Sequence, residues 1–210
     1  MLLISVNLGH EQPIKNGKSG RSGIFKLPTL APVQISASGL GGDFICDTAN
    51  HGGADQAVYV YGQPDYEWWS SELDRELAPG TFGENLTISG LESAQLSIGD
   101  ELQIGVLTLQ VTAARIPCST LAARMGDPAF VKRFRHAERP GVYCRVLQEG
   151  TVRAGDAVRL ERYRGETISV LEMFRDWYEP DKSVAGVRRY LAAPVASRAR
   201  VSKEKQRMEA

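Results

Sequence analysis

A chain of 210 residues and 23.0 kDa is long enough for one sizeable core, or for a domain of about 150 residues with a small appendage. Hydrophobic residues at 42% and charged residues at 24% exclude disordered, collagen-like and coiled-coil classes. Lys plus Arg, 25, balance Asp plus Glu, 25, so no global field draws nucleic acid or anionic lipid and any anion site must be local.

The amino-terminal MLLISVNLGHEQ has no basic stretch ahead of its apolar run, and no segment approaches the roughly 18 apolar residues of a spanning helix. A soluble, cytoplasmic protein is expected. Cys46, Cys118 and Cys144 are odd in number, widely spaced and form no C-x-x-C pair, which argues against a disulfide framework and a structural zinc site.

In chain order, LLISVNL (2–8), AVYVY (57–61), ENLTI (84–88), ELQIG (101–105), LTLQVTA (107–113), GVYCRVL (141–147) and AVRLERY (157–163) are short β-branched and aromatic runs that read as strands. Gly99-Asp100, Gly105, Glu149-Gly150 and Gly155-Asp156 supply turns. The pattern predicts a mainly β domain over 1–162, a barrel or a sheet folded on itself.

Peripheral helices interrupt it. Pro64-Asp65 opens a helix carrying Tyr66, Trp69, Leu73 and Leu77 at helical spacing, stopped by Pro79-Gly80. Ser119-Thr120 and Asp127-Pro128 start two short helices in series. After Arg162 the texture becomes all-α: a helix capped by Thr167 with Val170, Leu171, Phe174 and Trp177 inward, a second from Ser183 broken at Pro194, and a basic third stretch from Ser197 to Met208, either helical or frayed. Residues 163–210 thus form a small three-helix appendage.

Four features could carry chemistry. Cys118 follows Arg115-Ile116-Pro117 where a strand enters a helix. The positive helix end and Arg115 both favour a thiolate, suited to a nucleophile or a soft-metal ligand; a small residue buried under the turn is the other reading. Cys46 and Cys144 sit in apolar runs and read as core. Asn50-His51-Gly52-Gly53-Ala54-Asp55-Gln56 is a glycine turn whose N–H groups can form an anion nest, with Asp55 able to orient His51, or simply a structural turn. Phe82-Gly83-Glu84-Asn85 offers Asn85 to the edge of a heterocycle and Glu84 to an amine, or caps a turn. The basic, glycine-rich loop from Lys15 to Lys26 carries Lys18 and Arg21, suited to a phosphate but lacking the Walker pattern, or is a solvated loop.

Taken in order, Gly39-Leu40-Gly41-Gly42-Asp43, His51-Gly52-Gly53-Ala54-Asp55-Gln56-Ala57, Phe82-Gly83-Glu84-Asn85-Leu86, Gly99-Asp100 and Arg115-Ile116-Pro117-Cys118 resemble the molybdenum-cofactor sulfurase C-terminal (MOSC) family, in its YiiM-like branch. The resemblance covers Met1 to Arg162, and the tail is similar to the three-helix domain that follows in that branch. It implies a MOSC-type β-barrel, with Cys118 ligating the metal of a molybdenum cofactor (molybdopterin). Reduction of N-hydroxylated compounds, including N-hydroxylated purine bases, to amines is the implied activity. On that basis Lys18, Arg21 and Arg115 are placed near the cofactor's phosphate or pterin. His51, Asp55, Glu84 and Asn85 are placed around the pocket, with His51 as proton donor.

Three scattered cysteines cannot hold a four-thiolate cluster and no flavin or haem motif occurs. A separate electron-donor reductase is therefore the expected partner, docking on the basic tail if those charges are not merely a solvated face. A persulfide carrier using Cys118, and a module that stores or delivers cofactor, are the competing readings.

Overall fold

The computed structural model describes residues 1–15, 20–44 and 52–208. Lys18, Cys46 and His51 therefore lie outside the described residues.

The amino-terminal strands are β1 (Leu3–Gly9), β2 (Gln12–Pro13), β3 (Arg21–Ser22), β4 (Lys26–Thr29), β5 (Val33–Ser36) and β6 (Gly39–Leu40). There follow β7 (Val58–Gly62), α1 (Gln63–Glu72), β8 (Leu86–Ile88), β9 (Glu101–Ile104), β10 (Leu107–Ala114), α2 (Ser119–Met125), α3 (Phe130–Ala137), β11 (Val142–Gln148), β12 (Gly150–Val152) and β13 (Val158–Glu161). The tail is α4 (Val170–Tyr178), α5 (Val184–Ala192) and α6 (Ser197–Met208). Each of the seven runs read as strands is one. The strands not foreseen are two to four residues long, and Pro28 interrupts the apolar pattern of β4.

An eight-stranded sheet in the order β13-β9-β10-β11-β7-β8-β1-β4 dominates, with β12-β5-β6 as a smaller sheet and β2-β3 as a hairpin. The fold is mainly β, as expected, but the barrel is not closed by strand ladders among the described residues. Strand β1 pairs with β8 on one side and β4 on the other. Only the residues ahead of β1 and at its very start are left to meet β13. There an isolated antiparallel bridge joins Leu2 to Ala157, and Leu3 N donates to Asp156 O at 2.9 Å. The sheet thus curls until the residues leading into β1 meet those leading into β13.

Strands β7 and β8 are parallel, which demands a crossover, and α1 supplies it. This helix ends a turn earlier than its apolar spacing predicts: Asp74 takes φ 48°, and Ser70 Oγ accepts from Leu77 N instead. Its Trp69 is fully buried and stacks with Phe134 of α3 at 5.9 Å and tilts on Phe130 at 5.0 Å. Phe82 stacks on Tyr61 at 4.6 Å, and Phe134 meets Phe174 of α4 edge-on at 6.4 Å. Such ring pairs contribute about 0.5–1.5 kcal/mol each beyond their burial, so α1, α3, α4 and the 80–84 turn are locked together.

The three tail helices form as expected and share this core: Val170, Met173, Phe174, Tyr190, Ala193 and Val195 belong to the same buried cluster as the sheet. The cap of α4 is Ser169 rather than Thr167. Ser169 and Glu172 make a reciprocal capping box, while Thr167 Oγ1 donates to Ile98 O at 2.5 Å. Trp177 points outward, 64% exposed, and Met173 takes the inward position. In the basic helix α6, Lys203 is buried and donates to Asp176 Oδ1 at 2.6 Å, and Arg200 donates to Leu191 O and Ala193 O. Part of the tail's positive charge is thus used internally.

Candidate active site

The antiparallel pairing of β10 with β11 and of β11 with β7, followed by the parallel β7–β8 pair, sets Ala114, Val142, Val60 and Leu86 in one row across the sheet. One residue to one side of that row stand Tyr143 on β11, Tyr59 at the start of β7 and Asn85 before β8. Arg115 follows Ala114 one residue to the other side, and its guanidinium lies over the ring of Tyr59.

Arg115 is the centre of this cluster. Its side chain is 4% exposed, its Nη1 donates to Phe82 O at 2.8 Å, and its guanidinium lies over the rings of Tyr59 at 5.1 Å and Phe134 at 5.9 Å. Burial penalises the cation, but Tyr59, Tyr143 and Cys118 more than offset that, and its pKa is raised. Its buried Nε has no hydrogen-bond partner among the described residues. A buried charged donor left without an acceptor costs free energy, so its retention marks a place where an acceptor is expected.

Cys118 is half-buried and forms the amino-terminal cap of α2, with φ −134° and ψ 174° and no side-chain cap hydrogen bond. Its carbonyl accepts from Leu121 N at 3.0 Å and Ala122 N at 3.2 Å, which fixes the backbone and leaves the sulfur at the positive end of the helix. Arg115 and Tyr143 both feel its charge. Cys144, in contrast, is fully buried in the sheet and its thiol is pushed well above the ordinary range by burial alone, in keeping with a core residue.

Other candidates are committed to the protein itself. Asn85 accepts from Tyr59 N at 3.1 Å and donates to Asp43 Oδ2 at 2.8 Å, so its side chain staples strands rather than facing open space. Asp43 in turn forms a buried pair with Lys26, Nζ lying 2.5 Å from each carboxylate oxygen, and accepts from Gly9 N at 2.7 Å. Glu84 is fully buried. Its Oε1 accepts from Tyr66 Oη at 2.7 Å, Gly80 N at 2.6 Å and Thr87 Oγ1 at 2.8 Å, while Oε2 has no partner among the described residues. Burial raises its pKa, and those hydrogen bonds only partly counter this.

Two further candidates are engaged elsewhere. Asp55 accepts from Ser197 N at 2.7 Å and pairs with Arg145 at 3.1 Å, so it caps α6 and ties the tail to the sheet. Arg21 lies on the β2–β3 hairpin, paired with Glu11 at 2.7 Å and about half exposed. The structure thus brings together Arg115, Cys118 and the 82–85 turn, whereas the contacts of Asp55 and Arg21 are made outside that cluster.

Sequence reasoning missed Tyr59 and Tyr143, whose rings lie 5.0 Å apart beneath Arg115. Their signal was a polar-tipped aromatic at the start of each strand, and it reads as ordinary core until the pairing register is known. A cavity of about 450 Å³ between α3 and α4 contains none of the candidates. Its Arg175 and Arg135 are already paired with Glu138 and Glu179. Among the described residues no group of three or more His, Cys, Asp or Glu could hold a metal ion by itself. None of their helices is long and apolar enough to cross a membrane.

Residues 47–159 match the MOSC domain. The chain is 35% identical over 210 residues to an uncharacterized protein, YflK, of Bacillus subtilis, covering 98% of this chain and 95% of that one. It is 33% identical over 181 residues to a protein of Gibberella moniliformis named a reductase, covering 83% of this chain and 32% of that longer one. Among solved structures, YiiM from Geobacillus stearothermophilus superposes with a TM-score of 0.80 at 26% identity, over 98% of both chains.

Proposed function

This chain belongs to the MOSC domain family, and we propose that it is a molybdenum-cofactor oxidoreductase that reduces N-hydroxylated compounds, N-hydroxylated purine bases among them, to amines. The observation that carries the reading is the half-buried Cys118 at the head of α2, set beside a buried Arg115 whose Nε has no acceptor among the described residues. A lone thiolate is a suitable protein ligand for a metal that arrives with its own sulfur donors, and an unpaired guanidinium donor fits an electron-rich cofactor edge. The YiiM-like fold and the relative named a reductase support the same class.

When bound, the cofactor would supply the two-electron chemistry of R–NHOH + 2e⁻ + 2H⁺ → R–NH₂ + H₂O. The protein's part is positioning. Cys118 anchors the metal, Arg115 holds the cofactor edge and keeps positive charge beside the thiolate, and the Tyr59–Tyr143 pair under Arg115 fixes its plane. His51 is proposed as the source of the proton that departs with the hydroxyl oxygen. The electrons come from a separate reductase. The Gibberella relative, of which this chain matches 32%, has length enough to carry such a module in the same polypeptide.

The test is molybdenum per chain, by elemental analysis, in wild type and Cys118→Ser expressed in a cofactor-producing host. Near-stoichiometric metal lost in the variant, with reduction of an N-hydroxylated base by the wild type alone, is expected. Absence of molybdenum from both, with an added sulfur mass on Cys118, would replace this reading with a persulfide carrier.

A further inference from the structure

A second cavity, of about 200 Å³, opens between the end of α2 and the turn after α1, lined in part by Arg75, Glu76, Thr81, Arg124 and Met125. That volume equals the share of about seven liquid waters and is below the roughly 300 Å³ at which sites for drug-sized ligands begin. It suits a small polar group rather than a drug-sized ligand.

Its charge is unusual for this protein. Arg75 and Arg124 both line it, and neither has a carboxylate within ion-pair distance among the described residues. Most of the other arginines resolved here are paired: Arg133, Arg135, Arg139, Arg145, Arg162, Arg175 and Arg189 each meet an Asp or Glu. Arg124 is held in place rather than free, with its guanidinium over the ring of Phe25 at 4.8 Å, and its buried Nε has no hydrogen-bond partner among the described residues. Burial lowers its pKa, the charges of Tyr66 and Glu84 raise it, and the like charge of Arg75 lowers it again. Two cations drawn together, one with an unpaired buried donor, are stabilised by a shared anion. Glu76, the one carboxylate on the rim among the described residues, is exposed and solvent-screened.

We propose that Arg75 and Arg124 form a binding site for a phosphate monoester, with the planar Arg124 fork donating to two phosphate oxygens and Arg75 closing the open side. A guanidinium fork matches phosphate geometry bidentately, and the greater charge of a phosphate monoester suits two neighbouring cations. The phosphate belongs either to the terminus of a bound pterin cofactor or to a separate phosphorylated small molecule. Arg124 lies six residues after Cys118 on α2, about 9 Å along the helix at 1.5 Å per residue, so one ligand could reach both. The site itself stands whether or not molybdenum is bound.

Isothermal titration of the full chain, free of cofactor and at low ionic strength, with inorganic phosphate and with phenyl phosphate tests this. Saturable binding is expected, weakened about tenfold by Arg124→Gln, as for the loss of a charge-assisted hydrogen-bond pair. Arg75→Gln, at an exposed position where folding is not at stake, weakens it by a smaller factor, and Lys132→Gln, exposed and outside the cavity, leaves it unchanged. No saturable binding by the wild type, or binding by both arginine variants as tight as the wild type's, overturns the proposal. Repeating the titration on cofactor-loaded protein distinguishes the sources. Blocked binding assigns the site to the cofactor's own phosphate, and unchanged binding assigns it to a second ligand. Failure of the molybdenum reading would show in metal content and leave the phosphate isotherm of the cofactor-free chain as it was.

Discussion

Replacing Lys26 by Met removes one half of the most buried ion pair near the site. The side chains of Lys26 and Asp43 are 7% and 5% exposed, with Nζ 2.5 Å from the carboxylate. At an effective dielectric of about 20, two unit charges at that distance attract by about 7 kcal/mol, and most of this offsets the hydration both groups have lost. Burial depresses the Lys26 pKa, and Asp43, by charge and by hydrogen bond, opposes the shift without reversing it. With Lys26 gone, the Asp43 carboxylate keeps its hydrogen bonds from Gly9 N and Asn85 Nδ2 but loses its countercharge. The expected cost is about 3–5 kcal/mol. At about 2–4 °C per kcal/mol for a chain of this size, the melting temperature falls by about 6–20 °C. Urea midpoints of wild type, Lys26→Met, Asp43→Leu and the double variant close the cycle, and the double variant should recover much of the single-variant loss. A Lys26→Met loss under about 1 kcal/mol would mean that the pair behaves as a surface contact, and the reasoning from burial would be wrong.

Three further outcomes are expected. Gly141 has φ 65°, and a Cβ there would lie 2.5 Å from Tyr61 Cδ2 and 2.7 Å from Tyr59 Cε2, so Gly141→Ala should destabilise by about 2 kcal/mol or more; thermal melts showing no change would refute the fit of that turn against the tyrosines. Glu84 holds its proton to higher pH in the folded chain than in the unfolded one, so its stabilisation is complete below the unfolded pKa and is lost as pH rises through the folded pKa. Denaturation across that range should show Glu84→Gln gaining on the wild type as pH rises, and a gain toward acid would contradict the sign. Ser169→Ala should cost about 1 kcal/mol as a lost helix cap, whereas a larger effect for Thr167→Ser, which keeps the hydroxyl, would dispute the assignment of the cap to Ser169.

Much of this architecture was legible in the residue pattern. Strand runs such as 107–113 and 141–147 carry their own β-branched composition, and the Ser183 cap of α5 and the break at Pro194 follow from local chemistry. Other elements were hidden because nothing local distinguishes them. Strand β4 contains a proline, and Ser169 and Thr167 are equally good caps until the bridge of Ser97 to Ser169 and the bond from Thr167 to Ile98 O are formed.

The site divides in the same way. Proximity in the chain and helix-end physics alone single out Cys118 with Arg115, since a cysteine between a strand, a proline and a helix start occupies a position defined by neighbours in sequence. The fates of Asn85, Asp55 and Arg21 could not be read, because Asp43, Ser197 and Glu11 compete for their polar atoms, and two of those partners stand far off in the chain. Nor could the tyrosine pair beneath Arg115 or the Arg75–Arg124 cavity be foreseen. By itself the sequence determined which residue types recur at strand and helix spacing and which thiol sits at a helix start. Only the tertiary structure decided which charges find partners and which are left over, because pairing depends on register and burial, and both are set by contacts between segments that the linear order does not bring together.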